Sequence, residues 1–475
     1  MVKLLLHTRM NHGAGLGLAV AGALLCALPV AEAQINAGYG PDPSRTAQSR
    51  TDQSRAVQAR QDRENSLSGR FPDKPSIPPV FTIPVEPLGF SAPGPIYLGL
   101  RNCLASLDFL DENRLLFTFR VPGLMRREPG AGADSDERRI RAVVVALPTG
   151  TVEAEALWTV HDRLRYLWML KDGHFLVRDR DGLQQGDARL ELKPLLQFPG
   201  PLLWLEMDPT QQFLVTNSRE PAAAKPREVD SPPTAVASMV ADGQKPNPAQ
   251  SDPGKSDPVQ TDLVVRILRR ESGQVMLVSR VRSTVHLPIN ADGYLESLRG
   301  NGEQWLLNLN YFSGGSTVLG RVDSSCSPVF YFVSQRELLA TACAPSGNRR
   351  LVAMDTGGRR LWENLEPAED IWPQVVMSPD GSRLALETLA VTHAVNAYAP
   401  FDREDIKGQV VRVFNAANGK VALEAPASPA LDVGGNVAIS PSGLRVAVLN
   451  AGALQIFDLP APPPLADSAD NPPGH

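Results

Sequence analysis

The sequence is short of charge of one sign. Its 47 Lys and Arg stand against 52 Asp and Glu, a net charge of −5 over 475 residues. No positive excess is present to displace phosphate counterions, which argues against a nucleic-acid partner. Cysteine is scarce: four residues over this length do not frame a disulfide-built scaffold. Beyond residue 33 no run is long and apolar enough to cross a bilayer. Sustained heptads are missing, and 38 Gly with 42 Pro, about 17% of the chain against an average near 12%, exclude a coiled coil. The usual marks of chemistry are missing as well. His161, His174, His286, His393 and His475 are not at zinc spacing with each other or with Cys. There is no Gly-x-Ser-x-Gly elbow and no phosphate-binding loop. Asp179, Asp181 and Asp187 fail the twelve-residue calcium pattern and read as a hairpin turn. Cys103 has no base indicated beside it, and no carboxylate pair is given acid–base geometry. The sequence therefore names no catalytic residue, no metal and no cofactor.

What is present begins with a leader. Lys3 and Arg9 make a basic start, 14–30 is an apolar run rich in Ala, Gly and Leu, and Ala31-Glu32-Ala33 is a small-x-small cleavage site that leaves Gln34 as the new N-terminus. The run is short and Gly-rich for a span of about 20 residues. Leu25 ahead of Cys26 breaks a lipobox. Residues 1–33 are thus expected to be a signal peptide and the chain to be exported, to a periplasm or the cell exterior. Export permits disulfides, but Cys103, Cys326 and Cys343 are an odd count. Cys326 and Cys343 are closest in sequence and form the candidate pair, although the order of the surrounding strands is expected to set them at different radii.

Three stretches are expected to be disordered because they carry too little apolar surface to offset ordering entropy. The arm 34–78 contains the pentads Ser44-Arg45-Thr46-Ala47-Gln48, Ser49-Arg50-Thr51-Asp52-Gln53 and Ser54-Arg55-Ala56-Val57-Gln58. The stretch 219–260 holds eight Pro and no aromatic residue, and 461–475 is a similar tail.

Between them, short β runs are separated by turns, and one unit recurs. Its first turn is expected seven times: Asp111-Glu112-Asn113, Lys171-Asp172-Gly173, Asp208-Pro209-Thr210, Gly300-Asn301-Gly302, Ala344-Pro345-Ser346-Gly347, Ser378-Pro379-Asp380-Gly381 and Ser440-Pro441-Ser442-Gly443, each ahead of an apolar strand. Pro presets φ, Asp or Ser caps the turn, and Gly accepts positive φ. A second turn recurs at Pro148-Thr149-Gly150, Glu271-Ser272-Gly273, Asp355-Thr356-Gly357 and Ala417-Asn418-Gly419-Lys420.

Ser-Pro-Asp-Gly followed by an apolar strand resembles the inner hairpin of WD-repeat-like and related bacterial β-propellers, and 411–421 is similar to their outer hairpin. The stretch 351–363, with a Gly turn ahead of Leu361-Trp362, resembles blades of quinoprotein-like propellers. The resemblance covers about 79–460 and concerns the fold. It implies an all-β chain forming a single seven-bladed β-propeller over 79–460, with the arm, the insertion and the tail as additions. Two to four domains, the expectation from length alone, give way to one ring. The stretch 80–88, with Phe81, Ile83 and Val85, is expected to supply the outer strand of the last blade, which otherwise ends with 453–459.

With strands named a to d from the axis outward, the insertions near 124–138, 219–260 and 393–408 each fall between strands b and c. They are therefore expected on one face, opposite the tight turns, and long loops on a rigid scaffold are where binding usually resides. Arg126, Arg127 and Arg138 in the first, and His393, Asn396, Tyr398, Phe401, Asp402 and Arg403 in the last, are the candidate binding residues, since Arg and aromatics are enriched at recognition surfaces. The expected function is a noncatalytic exported binding or scaffold module for a protein, peptide or glycan, monomeric and without a membrane segment once the leader is removed. The alternative is a propeller enzyme, a lactonase-like hydrolase or a quinoprotein-like oxidoreductase, acting at the central channel.

Overall fold

A computed structural model describes residues 72–94, 102–123, 137–162, 164–222, 261–367, 370–392 and 403–462. The chain divides into two units, Met1–Val57 and Gln58–His475. The first lies wholly outside the described residues. So do the expected leader with its Ala33–Gln34 cleavage site, the pentads and nearly all of the tail.

The second unit is built of antiparallel strands in seven sheets. Strand β1 (Phe81–Pro84) comes first in the chain. Blade 1 is β2 (Ala105–Asp111), β3 (Arg114–Arg120), β4 (Arg138–Ala146) and β5 (Val152–Val160). Blade 2 is β6 (Leu167–Met169), β7 (Phe175–Asp179), β8 (Gly182–Gly186) and β9 (Leu192–Gln197). Blade 3 is β10 (Leu202–Met207), β11 (Phe213–Pro221), β12 (Thr261–Arg269) and β13 (Val275–Val281). Blade 4 has three strands, β14 (Gly293–Arg299), β15 (Gln304–Tyr311) and β16 (Ser316–Asp323). Blade 5 is β17 (Val329–Phe332), β18 (Glu337–Cys343), β19 (Arg349–Asp355) and β20 (Arg360–Glu366). Blade 6 is β21 (Val375–Met377), β22 (Arg383–Val391), β23 (Ile406–Asn415) and β24 (Val421–Ala427). Blade 7 is β25 (Val437–Ile439), β26 (Arg445–Asn450) and β27 (Ala453–Asp458), completed by β1 as its outermost strand.

The last pairing is the expected latch. Phe81 stands opposite Ile456, Thr82 opposite Gln455, and Ile83 opposite Leu454. Ile83 joins the apolar layer between blades 7 and 1, with Phe117, Leu454 and Ile456. Equivalent layers lie between the other neighbouring blades, so the core is a ring of inter-sheet layers, and the molecule is a closed seven-bladed β-propeller. This explains why the second strands are apolar without alternation: both faces are covered, and Leu115, Leu116 and Phe117 are all fully buried. Outer strands such as β5 alternate instead.

Several sequence expectations need correction. Blade 4 lacks a regular inner strand. Its innermost place is taken by an irregular segment that makes one bridge, Ile289 to Tyr294 on β14. The true a–b turn is therefore Asn290-Ala291-Asp292-Gly293, where Asn290 Oδ1 accepts the N–H groups of Asp292 and Gly293. Gly300-Asn301-Gly302 falls in the b–c turn. In blade 5, Ala344-Pro345-Ser346-Gly347 also joins b to c, while the a–b turn is 333–336 and has neither Gly nor Pro. A Gly-bearing turn closes either hairpin of a blade, so residue type alone does not say which one.

Strand β11 continues to Pro221, opposite Thr261, so the first residues assigned to the 219–260 insertion are sheet. At the end of the arm, Ser76 N–H donates to Glu424 O at 2.7 Å and Ile77 packs against the layer between blades 6 and 7. Cys326 and Cys343 form a disulfide with Cα atoms 5.5 Å apart. Their radii coincide because the link from blade 4 to blade 5 crosses the end of β18, where Ser325 N–H donates to Cys343 O and Cys343 N–H to Ser324 Oγ.

Candidate ligand-binding face

In a four-stranded antiparallel blade, the a–b and c–d turns share one face. The b–c loops and the links to the next blade share the other. The three long connections, after β3, β11 and β22, are all b–c connections and so leave from this second face. Of the residues expected to bind there, Arg126, Arg127, His393, Asn396, Tyr398, Phe401 and Asp402 lie outside the described residues. Arg403 begins a single 3-10 turn, Arg403–Asp405. Arg138 is not on a loop. It opens β4, is 3% exposed, and donates through one guanidinium nitrogen to His161 O and Asp162 O at 2.8 and 3.1 Å. Its side chain braces the link between blades 1 and 2 rather than facing a ligand.

The same face holds a second set of groups, on the inner strands and the links that precede them. Arg165, ahead of β6, is exposed, yet it interacts electrostatically with Asp108 and Cys103 of blade 1 and with Glu206 of blade 3. Cys103 in turn interacts with Glu387 of blade 6, and Tyr331 of blade 5 with Glu206. Groups from blades 1, 2, 3, 5 and 6 can be mutual neighbours only at the axis. An exposed guanidinium ringed by protein on all sides places it in a solvent-reached channel.

Blade 4 contributes through its irregular segment. The buried Asn217 of β11 holds the segment with both ends of its amide: Nδ2 donates to Val285 O at 3.0 Å, and Oδ1 accepts Val285 N–H at 3.1 Å. These bonds stand in for the missing ladder. They present His286 between Trp204 and Tyr331, with ring centroids at 4.9 and 5.2 Å. His286 Nε2 lies 3.0 Å from Glu206 Oε2. The result is a wall of two aromatic rings, an imidazole and a carboxylate.

Burial sets the electrostatics. It pushes the Asp108 carboxyl up to about 6, against the Ser106 hydroxyl that donates to it at 2.6 Å and the charge of Arg165. Enclosure by the channel walls, which strips water from its guanidinium, lowers Arg165 from the ordinary value, with Asp108, Cys103 and Glu206 opposing. Burial pushes the Tyr331 hydroxyl up to about 12, with Glu206 adding to the effect, and the Cys103 thiol also up to about 12. A thiol so protonated is not a nucleophile. Glu387 is fully buried, and burial pushes its carboxyl up to about 7, although its Oε1 accepts the N–H groups of Gly435 and Asn436 at 3.2 and 2.9 Å. Through these bonds Glu387 ties strand b of blade 6 to the link into blade 7. Among the described residues, no three His, Cys, Asp or Glu side chains converge as a metal-ligand set.

Sequence reasoning reached this face by loop length and missed these residues, most of which sit on strands and the rest on the short links ahead of them. A signal was available: Tyr166, Trp204, His286 and Tyr331 all occur where a blade is entered from its predecessor.

The fold thus defines a class, a seven-bladed β-propeller with a polar, aromatic-lined channel mouth. No protein-family model matches the chain, and no curated protein matches it. Solved structures do. The chain is similar to uncomplexed acylaminoacyl peptidase from Pyrococcus horikoshii at 11% identity and a TM-score of 0.41, covering 76% of this chain and 52% of that one. It is similar to TolB from Acinetobacter baumannii at 12% identity and 0.34, covering 70% and 75%. It is also similar to the β-propeller domain of the Trilobed protease from Pyrococcus furiosus at 11% and 0.38, covering 75% and 94%. The chain spans about half the length of the acylaminoacyl peptidase chains, 49% of one of them. At these identities the likeness concerns the fold alone.

Proposed function

We propose that this chain is an exported, noncatalytic binding module that holds a protein, peptide or glycan over the channel mouth, on the face from which the long b–c connections leave. The observation that carries this is the convergence of Arg165, Asp108, Glu206, His286, Trp204 and Tyr331 at the axis. Asp108, Trp204, Glu206 and Tyr331 stand on inner strands, and the Asn217 amide holds the segment that carries His286, an arrangement that lowers the ordering cost of binding. Aromatic rings beside charged groups suit a partner with both flat apolar and polar parts.

The test is affinity capture from an envelope fraction, comparing the full mature chain with two variants. One is the double variant His286→Ala with Tyr331→Ala. The other is Lys171→Glu, an exposed position on the opposite, tight-turn face. The wild type and Lys171→Glu should retain the same molecules, and the double variant should lose them. Identical captured sets for all three would sink the proposal.

A further inference from the structure

The charged groups of the channel lie on one level. On the inner strands of blades 1, 3 and 5, the residues opposite the third residue of strand b are Asp108 (facing Leu116), Glu206 (facing Val215) and Tyr331 (facing Leu339). In blade 2 that residue is Leu167, opposite Val177, and Arg165 Nε donates to Leu167 O at 3.0 Å. The guanidinium is thereby anchored at the depth of the two carboxylates. Leu107 and Phe109 pack in the layer toward blade 7, which turns Asp108 toward blade 2 and its Arg165. Leu205 and Met207 pack toward blade 2, which turns Glu206 the other way, to His286.

These charges are held apart. Arg165 interacts electrostatically with Asp108 and Glu206, yet it forms no ion pair or hydrogen bond with either. Beyond its bond to Leu167 O, its two terminal nitrogens have no partner among the described residues. One Asp108 oxygen accepts from the Ser106 hydroxyl at 2.6 Å, and one Glu206 oxygen lies 3.0 Å from His286 Nε2. The other oxygen of each carboxylate has no partner among the described residues. Donors therefore face acceptors across a gap that neither side closes. An anion in that gap meets two carboxylates, and a cation meets a guanidinium. A ligand with both an ammonium and a carboxylate satisfies every group with charge-assisted hydrogen bonds. Trp204, His286 and Tyr331, all half-buried, stand beside Glu206 and offer a ring wall to an apolar side chain.

We infer that this level of the channel binds a small zwitterion, an α-amino acid or a short peptide with free termini. Arg165 takes the carboxylate, Asp108 and Glu206 the ammonium, and the ring wall the side chain. The inference rests on the reading of the channel mouth as a ligand site and narrows its ligand.

The experiment is calorimetric titration of the full mature chain with L-phenylalanine, L-leucine and glycyl-L-phenylalanine. At least one should saturate at about millimolar affinity or tighter. The amide of whichever probe binds, and its N-acetyl form, should bind at least about tenfold more weakly, since each leaves charged groups of the channel unpaired. Arg165→Gln should bring acid and amide to within about twofold of each other. Glu206→Gln combined with Asp108→Asn should do the same for the free and acetylated amines. Lys171→Glu should bind as the wild type. Binding of the dipeptide alone would assign the site to peptides, and binding of an amino acid alone to the free monomer; either supports the inference. No saturation by any probe would overturn it, as would equal affinity for the blocked forms. So would an Arg165→Gln chain that loses blocked and unblocked probes by one factor, which would mark a structural role. Envelope capture separates the two readings. Capture still lost in the His286→Ala, Tyr331→Ala chain, with no zwitterion bound, would remove this inference and leave the channel reading standing. Unchanged capture with zwitterion binding intact would remove only the macromolecular partner. Arg165 is exposed, so its variant keeps the test open even if the carboxylate variant fails to fold.

Discussion

A single side chain, Glu387, couples the fold to pH. It is buried among backbone N–H donors of the blade 6–7 link, and burial outweighs them, so its carboxyl holds a proton to about 7 in the folded chain against an ordinary 4.5. Between these values the folded state keeps a proton that the unfolded state has released, and stability falls as pH rises. The contribution is complete below the ordinary value and gone above about 7. Glu387→Gln keeps a carbonyl acceptor and cannot ionise. Its melting temperature should therefore drop less than the wild type's between roughly pH 5 and pH 8; equal drops would remove Glu387 as a cause. Asp108 and Asp162, which burial pushes up to about 6, act in the same direction but are present in both proteins. None of this is legible in the sequence, where Glu387 is one acidic residue in an apolar strand. What buries it is the neighbouring blade, and what it bonds to lies in the next link. The same holds for Asn217, whose role depends on a break in the strand of another blade.

At the scale of elements, β1 is the strand that closes the ring. Its four residues pair with β27 and put Ile83, 4% exposed, into the layer between blades 7 and 1. Removing the branched side chain should cost about 2–5 kcal/mol, as for other buried aliphatics. Ile83→Ala should lower the urea midpoint accordingly. Val80→Ala, at a position 52% exposed just ahead of the strand, should cost well under 1 kcal/mol. Equal effects would mean that the latch does not hold the ring. This element was readable beforehand, because 80–88 alternates apolar and polar residues and the last repeat lacked an outer strand. The inner strand of blade 4 was not. Leu287 and Ile289 are as apolar as their counterparts, and only the pairing shows that they bridge once and then leave the sheet. Turn chemistry was informative where a proline and a glycine coincide, as at Ser378-Pro379-Asp380-Gly381. It failed in blade 5, where the a–b turn Ser334-Gln335-Arg336 carries no such residue.

At the scale of the whole molecule, the repeat count and ring closure followed from periodicity, because each blade must bury both faces and supplies apolar strands at regular intervals. The polar groups at the axis did not follow, since neighbours across a channel are set by the ring and not by sequence distance. Among the described residues no helix is long and apolar enough to cross a membrane. The proposed export rests on residues 1–33 acting as a cleaved leader. Mass spectrometry of the protein recovered from its native cells should find an N-terminus at Gln34; a chain retaining Met1 would contradict cleavage and the proposed export.

The latch also imposes an order in time. β1 is made before every blade, and its partner β27 after almost all of them, so for most of synthesis or translocation the strand has nowhere to pair. Ring closure is then the last event of folding, a long-range contact whose cost falls due only when the chain is nearly complete. A chain stopped before Ala453 would hold up to six finished blades beside an open seam, with Ile83, Val85 and the flank of blade 1 in water. Completeness of the polypeptide is thereby registered as the disappearance of an apolar surface. That is a property a chaperone or a protease can sense without reading any sequence.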